Sequence, residues 1–145
     1  MVTDDEQYFL DANILMYAIG KAHPYKEPCI QILRLIETEA LSVVSNVEVL
    51  QEILHRYRSL GKDALSRQAY GHFKTLCDAM LPVLESDLDL ALGILEQAPG
   101  VQVRDAIHAA TMLNHSLEKV VSTDRHFDRI DGIRRIDPVD LVSLF

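Results

Sequence analysis

Tyr8-Phe9-Leu10-Asp11-Ala12-Asn13-Ile14-Leu15 holds a change of periodicity within a short span. A brief apolar run stops at Asp11, and beyond it Ile14, Leu15, Ala18 and Ile19 recur at the three- and four-residue spacing of a helix. The stretch therefore predicts a strand, a turn and a helix. The same grammar returns further on, where Leu41 to Val44 reads as a strand bounded by Ser45-Asn46. A helix follows from Val47, carried by Val49, Leu50, Ile53, Leu54 and Tyr57 and stopped by Gly61. Between these units, after Pro24 and Pro28, Ile30, Leu33 and Ile36 mark an amphipathic helix up to Glu39.

The second half continues the alternation. A helix is expected over Ala64 to Met80, then a third strand over Leu81 to Leu84, which Pro82 confines to an edge or to its first residues. Ser86 or Asp87 offers an N-cap for a helix through Glu96, closed by Pro99-Gly100. Arg104-Asp105-Ala106-Ile107-His108-Ala109-Ala110 opens a helix to about Asn114, with small residues that let it approach a sheet closely. Lys119 to Ser122 reads as a buried strand, Thr123-Asp124 as its turn, and Arg134 to Ile136 as a last strand before Asp137-Pro138 and a terminal helix. Strands alternating with helices predict an α/β fold with a parallel sheet covered on both faces. The chain of 145 residues has no repeat, linker or low-complexity stretch, and one domain over 1–145 is expected.

Composition excludes several classes. Hydrophobic residues at 48% and charged residues at 25% are those of an ordinary globular protein. No apolar run approaches the roughly 20 residues of a membrane span. Residues 1–6 are acidic and lack the basic start of a secretion signal, so a cytoplasmic protein is expected. Cys29 and Cys77 lie far apart in helix-like patterns and read as buried free thiols. The net charge of −8, from 22 acidic residues against 14 Lys and Arg, argues against a protein that coats nucleic acid by charge alone. It does not argue against a nuclease, because carboxylates that hold divalent cations become a cationic centre once loaded.

The topology sorts the acids. In a parallel α/β sheet every strand ends at one common edge, and the helix after it starts there. Asp11 directly follows the first strand, Glu52 lies in the second turn of the helix after the second strand, Asp105 opens its helix, and Asp124 follows the next strand. Each has a structural explanation by itself: a cap for Asp11, the helix dipole for Asp105, a solvated helix face for Glu52, a turn for Asp124. Their joint placement at one edge is what points to a hard divalent cation held by repelling carboxylates, and so to phosphodiester hydrolysis by an activated water.

Other signals are weaker. None of the 6 histidines has the paired spacing of a zinc motif, and His108, one turn after Asp105, reads as a core or surface histidine in preference to a substrate contact. Arg56, Arg58 and Lys62 follow Glu52, Arg104 precedes Asp105 and Arg125 follows Asp124, a set able to grip phosphates beside an acidic centre, although a solvated helix face explains any one of them. Glu48 shares a helix face with Glu52 and is a further acid within reach. No Gly-rich phosphate loop or nucleophile elbow is present.

Phe9-Leu10-Asp11-Ala12-Asn13, Ser45 through Val49-Leu50-Gln51-Glu52, Arg104 through Ala110, and Val121-Ser122-Thr123-Asp124-Arg125-His126-Phe127 occur in the order of the PIN-domain family. The set resembles in particular the VapC-type toxins of prokaryotic toxin–antitoxin modules. The resemblance implies a three-layer α/β/α sandwich with a mainly parallel sheet. It implies an endoribonuclease that uses Mg²⁺ or Mn²⁺ held by Asp11, Glu52, Asp105 and Asp124, with Glu52 rather than Glu48 as the second acid. Asn13, Ser122 and Thr123 fall beside the metal site in this alignment of motifs, Thr123 standing where the family more often has Asn, and Asp128 is a possible outer acid. The resemblance also implies an RNA substrate, an antitoxin partner and a homodimer. Alternatives are a housekeeping nuclease with no antitoxin, or one acting on DNA, and an inactive interaction module; the filled set of acids argues against the last.

Overall fold

The computed structural model describes residues 6–145. The acidic opening read above for its lack of a secretion signal lies, apart from Glu6, outside the described residues. The elements run β1 (Gln7–Leu10), α1 (Ala12–Ile19), α2 (Lys26–Glu37), β2 (Ser42–Asn46), α3 (Val47–Ser59), α4 (Asp63–Leu76), β3 (Ala79–Leu81), α5 (Glu85–Gln97), α6 (Val103–Asn114), β4 (Lys119–Val121), a 3-10 turn (Arg125–Arg129), β5 (Arg134–Ile136) and α7 (Pro138–Val142). The five strands pair in the order β3-β2-β1-β4-β5, and every pairing is parallel. The sheet is thus wholly parallel where a mainly parallel one was expected.

Successive side chains of a strand point to opposite faces, yet Tyr8, Phe9 and Leu10 of β1 are all buried. Both faces of the central strand are therefore covered, which makes the fold an α/β sandwich. The helices pack in sequential pairs, α1 on α2, α3 on α4 and α5 on α6. No helix among the described residues is long and apolar enough to cross a membrane. Cys29 is buried and Cys77 partly so, both are free, and burial pushes each thiol up to about 12.

Strand order places the site. From β1 the chain moves to β2 and β3 on one side, then crosses to β4 on the other. The connections leave in opposite directions at the carboxyl ends of β1 and β4, and a crevice opens at such a switch point. The Asp11 N–H donates to Val121 O at 3.1 Å, so the two strand ends remain zipped to the last residue before the crevice.

Several boundaries differ from the sequence reading. Strand β2 runs on through Ser45-Asn46, which were expected to bound it. Helix α2 begins ahead of Pro28, because the first turn of a helix has no internal partner for the N–H that proline lacks, and it ends at Glu37 with Glu39 left-handed at φ 63°. Helix α4 stops at Leu76 rather than Met80. Ala79 and Met80 instead pair with Val44 and Ser45, and Leu81 pairs with Asn46, so β3 ends where Pro82 begins. Gly61 does end α3, at φ +71°, with its N–H on Arg58 O.

Neither Ser86 nor Asp87 is the N-cap of α5. Leu84 holds that position, and Asp87, three residues in, reaches back to accept its N–H at 2.8 Å. The other Asp87 oxygen accepts Asn114 Nδ2 at 2.7 Å, so one buried carboxylate caps α5 and ties it to α6. Asp87→Ala is expected to cost roughly 1–3 kcal/mol, the combined loss of a cap and of a buried hydrogen bond. Urea denaturation checks this, and the loss should be the same with and without divalent ions.

Candidate active site

Asp11 ends β1 and caps α1. Its Oδ1 accepts the Ala12 N–H at 2.7 Å, so capping and site geometry are one arrangement. Its Oδ2 accepts the Ser122 hydroxyl at 2.6 Å and Asn13 Nδ2 at 3.3 Å. Ser122 is fully buried just past β4, and its hydroxyl also accepts Asn13 Nδ2 at 3.2 Å and the Asp124 N–H at 3.0 Å. A hydroxyl has one hydrogen and two lone pairs, and all three are used. Asn13 completes the clasp by accepting the Thr123 N–H at 3.4 Å, so Thr123 enters through its backbone.

Asp124 caps the 3-10 turn, with Oδ1 on the His126 N–H at 2.9 Å. Asp105 lies in the first turn of α6 and is buried. Oxygens of Asp105 and Asp124 and a nitrogen of His126 lie within 4.8 Å of one another, and ligand atoms of Asp11, Glu52 and His108 form a second such group. Glu52, on α3, has Oε1 3.6 Å from His108 Nε2 and 3.7 Å from Arg104 Nε.

Electrostatics binds the two groups into one. Burial raises the Asp11 carboxyl above its ordinary range; the nearby His108 offsets this in part, the Glu52 charge adds to it, and the hydrogen bonds from Ser122 and Ala12 offset it further. Asp105 is pushed up to about 9, first by burial, then by a proton shared with Asp124 and by the charges of Asp11, Asp124 and Glu52. Burial also pushes Asp124 upward, but the hydrogen bond from Asp105, the His126 N–H and the nearby His126 and Arg135 outweigh it, and Asp124 is lowered. One proton therefore sits on the pair, on the Asp105 side.

Five buried side-chain polar atoms lack a hydrogen-bond partner among the described residues: Glu52 Oε1, Arg104 Nε, Asp105 Oδ2, His108 Nε2 and His126 Nδ1. All belong to this crevice. An unsatisfied buried polar group costs about 1–3 kcal/mol, so orphans gathered in one place mark a site shaped for something that binds there. A divalent ion fits the orphaned Asp105 oxygen, the Glu52 carboxylate and the repelling acids around them.

The other sequence candidates take different places. Glu48, in the first turn of α3, belongs to neither group. Asp128 forms a two-pronged pair with Arg135, at 3.0 and 3.3 Å, and Arg135 in turn donates to Ser122 O at 3.1 Å and to Asp137 at 3.3 Å. Asp128 thus bears on the crevice only through Arg135. Arg104 and Arg56 line a groove that opens beside Glu52, whereas Arg58 lines a separate hollow with Arg67 and Tyr70. Arg125 sits on the 3-10 turn. The sequence reading missed His126, which stands 3.0 Å from Asp124 and 3.7 Å from Asp105. Its one sequence signal was its position two residues past an acid in a turn. Asn46, a buried cap of α3, was read only as a strand boundary.

The PIN domain family matches residues 8–133. This chain belongs to the PIN-domain family. It is 33% identical to ribonuclease VapC13 of Mycobacterium tuberculosis over 127 residues, which cover 88% of this chain and 97% of that one. Among solved structures, VapBC2 from Rickettsia felis bound to a DNA fragment from its promoter is 20% identical, with a TM-score of 0.70 over 91% of this chain and 98% of that chain. A toxin–antitoxin complex from Klebsiella pneumoniae is 17% identical, with a TM-score of 0.62 over 90% of this chain and 97% of that chain. At these identities the two structures establish a shared fold. The four acids singled out in the sequence are drawn together at the β1/β4 switch point.

The raised Asp105 fixes a pH dependence for metal-free protein. Its carboxyl loses its proton near pH 3.8 when unfolded and near 9 when folded, so between these values the folded state holds more protons. The associated stability is complete below pH 3.8 and is lost as pH rises toward 9. In excess EDTA the melting temperature of the parent is expected to fall from pH 5 to pH 9 relative to that of Asp105→Asn. Parallel curves for the two proteins would show that Asp105 is not under this strain.

Proposed function

We propose that this chain, acting as one domain over 1–145, is a divalent-metal-dependent endoribonuclease that hydrolyses RNA phosphodiester bonds and serves as the toxin of a type II toxin–antitoxin module. The observation that carries this reading is the cluster of Asp11, Glu52, Asp105 and Asp124 at the switch point, with orphaned oxygens on Glu52 and Asp105. Those four acids hold the ion, Mg²⁺ or Mn²⁺, which suit carboxylate oxygens and substrate phosphate. When bound, the ion supplies a Lewis acid that activates water and neutralises charge on the phosphoryl group. Ser122 and Asn13 hold Asp11 in place for it, and Asp105 would serve as a ligand in its deprotonated form.

The groove beside Glu52 supports an RNA substrate. It encloses about 890 Å³, and Lys21, Arg56, Lys62 and Arg104 line it together with His23 and His55. A chain of net charge −8 that gathers cations along the approach to its acids has a track for a phosphate backbone leading to the ion. The ribonuclease name of the mycobacterial relative supports RNA over DNA. The toxin–antitoxin neighbour supports an antitoxin partner. A homodimer draws support from exposed Leu88 and Leu92, one helical turn apart on α5, with exposed Leu84 at its N-cap.

Purified protein is expected to cut RNA with Mg²⁺ or Mn²⁺ and to be silent in excess EDTA. Asp11→Asn, Glu52→Gln, Asp105→Asn and Asp124→Asn should each remain folded and lose more activity than the roughly 10–100-fold that changes behind a metal ligand cost. Undiminished cleavage in chelator would overturn the reading. Expression in a bacterial host should arrest growth, and Asp11→Asn should relieve the arrest; cleavage without arrest would favour the housekeeping nuclease.

A further inference from the structure

We propose that His108 is a positioning residue, which steers Glu52 with an Nε2–H hydrogen bond whose direction is dictated, through Asn46, by the N-terminus of α3. The inference rests on the proposed function only in taking Glu52 as an ion ligand.

The helix cap starts the chain of reasoning. Asn46 Oδ1 accepts the Val49 N–H at 3.0 Å, and because a backbone N–H can only donate, this contact fixes which end of the amide is oxygen. The Asn46 NH₂ therefore faces Thr111 Oγ1 at 3.2 Å and His108 Nδ1 at 3.1 Å. Thr111 donates its one hydroxyl hydrogen to Ile107 O at 2.9 Å, so toward Asn46 it can only accept. One amide hydrogen goes to Thr111 and the other to His108 Nδ1. An NH₂ offers no lone pair, so Nδ1 is the acceptor and carries no hydrogen. A neutral imidazole with a bare Nδ1 has its proton on Nε2.

That proton points at the site. His108 is fully buried, its ring lies tilted on Phe9 at 5.4 Å between centroids, and Nε2 stands 3.6 Å from Glu52 Oε1; neither atom has a formed hydrogen bond, and Arg104 Nε approaches the same oxygen at 3.7 Å. The separation exceeds the roughly 2.7–3.2 Å of a formed hydrogen bond. The imidazole is fixed at Nδ1, so closure falls to rotation of the Glu52 side chain.

Two consequences follow. His108 lies close enough to Asp11 and Glu52 to be counted as a third ligand, but an Nε2 that bears hydrogen has no lone pair for an ion. Its part is that of a donor behind a carboxylate ligand, which fixes the ligand's orientation and leaves its second oxygen for the ion. In addition, a helix cap, a core threonine and a buried histidine act as one unit, so the α3 N-terminus sets the aim of a residue two turns further along that helix.

Imidazole ¹H–¹⁵N correlation spectra in EDTA, with Mn²⁺ titration calorimetry on the same proteins, decide the matter without any RNA. His108 is expected as the Nε2–H form. Asn46→Asp keeps the cap oxygen but presents an acceptor to the ring, and should bring a proton onto Nδ1. His108→Leu should weaken Mn²⁺ binding about 10–100-fold, and His108→Gln, whose amide N–H takes the place of Nε2–H, should recover it to within about threefold. A bare Nε2 in the parent, Mn²⁺ binding by His108→Leu equal to the parent's, or a Gln variant as weak as Leu would overturn the proposal. So would a parent that binds no Mn²⁺. If His108→Leu does not fold, the parent and Asn46→Asp spectra decide the proton's place. A parent that meets every expectation yet cuts no RNA would overturn the proposed ribonuclease and leave the role of His108 standing.

Discussion

Everything at the crevice hangs on the hydroxyl of Ser122. It donates to Asp11 and accepts from Asn13 and from the backbone of Asp124, so a single buried oxygen joins the end of β1, the first turn of α1 and the loop after β4. Because the Asp11 N–H is already paired with Val121 O, the two strand ends cannot drift apart, and both acids are delivered to the same point. Arg135 extends the constraint outward. It holds Ser122 O from β5 and also binds Asp137, which caps α7 and accepts the Tyr25 hydroxyl at 2.6 Å from the start of α2.

This rigidity has an electrostatic counterpart. Carboxylates that could relax apart in a flexible loop would do so, whereas here backbone N–H groups and the serine clasp hold Asp11 and Asp124 from behind. Asp105 and Glu52 arrive on helices α6 and α3 and have no such support, and theirs are the orphaned oxygens. The repulsion is met in metal-free protein by a proton retained on Asp105 up to about pH 9. A site that stores its mutual repulsion as a bound proton is one whose fold, rather than whose own stability, keeps the acids together.

The strand–turn–helix pattern from Tyr8 to Ile19 and its repeats were enough to foresee a parallel sheet, since periods of two and 3.6 are written locally. Asp11, Glu52, Asp105 and Asp124 were legible because one rule of parallel topology sends every strand end to the same edge. Boundaries that depend on partners were not. Met80 continues a helical pattern in sequence but pairs with Ser45 in space, and Asp87 looks like a cap but serves as the residue that reaches back to one. Local propensity cannot see the neighbouring strand or helix that outbids it.

The sequence by itself determined the class of fold and the edge on which the acids gather, because these follow from periodicity and chain direction, whereas the preference for Glu52 over Glu48 rested on the resemblance to the PIN-domain family. Tertiary structure alone decided how His126, Asn46 and His108 stand toward those acids, and that Arg58 and Arg56 line different surfaces. Each of these depends on side-chain direction at contacts between residues distant in the chain. A helical period places a residue on a face, but whether a histidine nitrogen there meets a carboxylate, an amide or nothing is set by packing that no local pattern encodes.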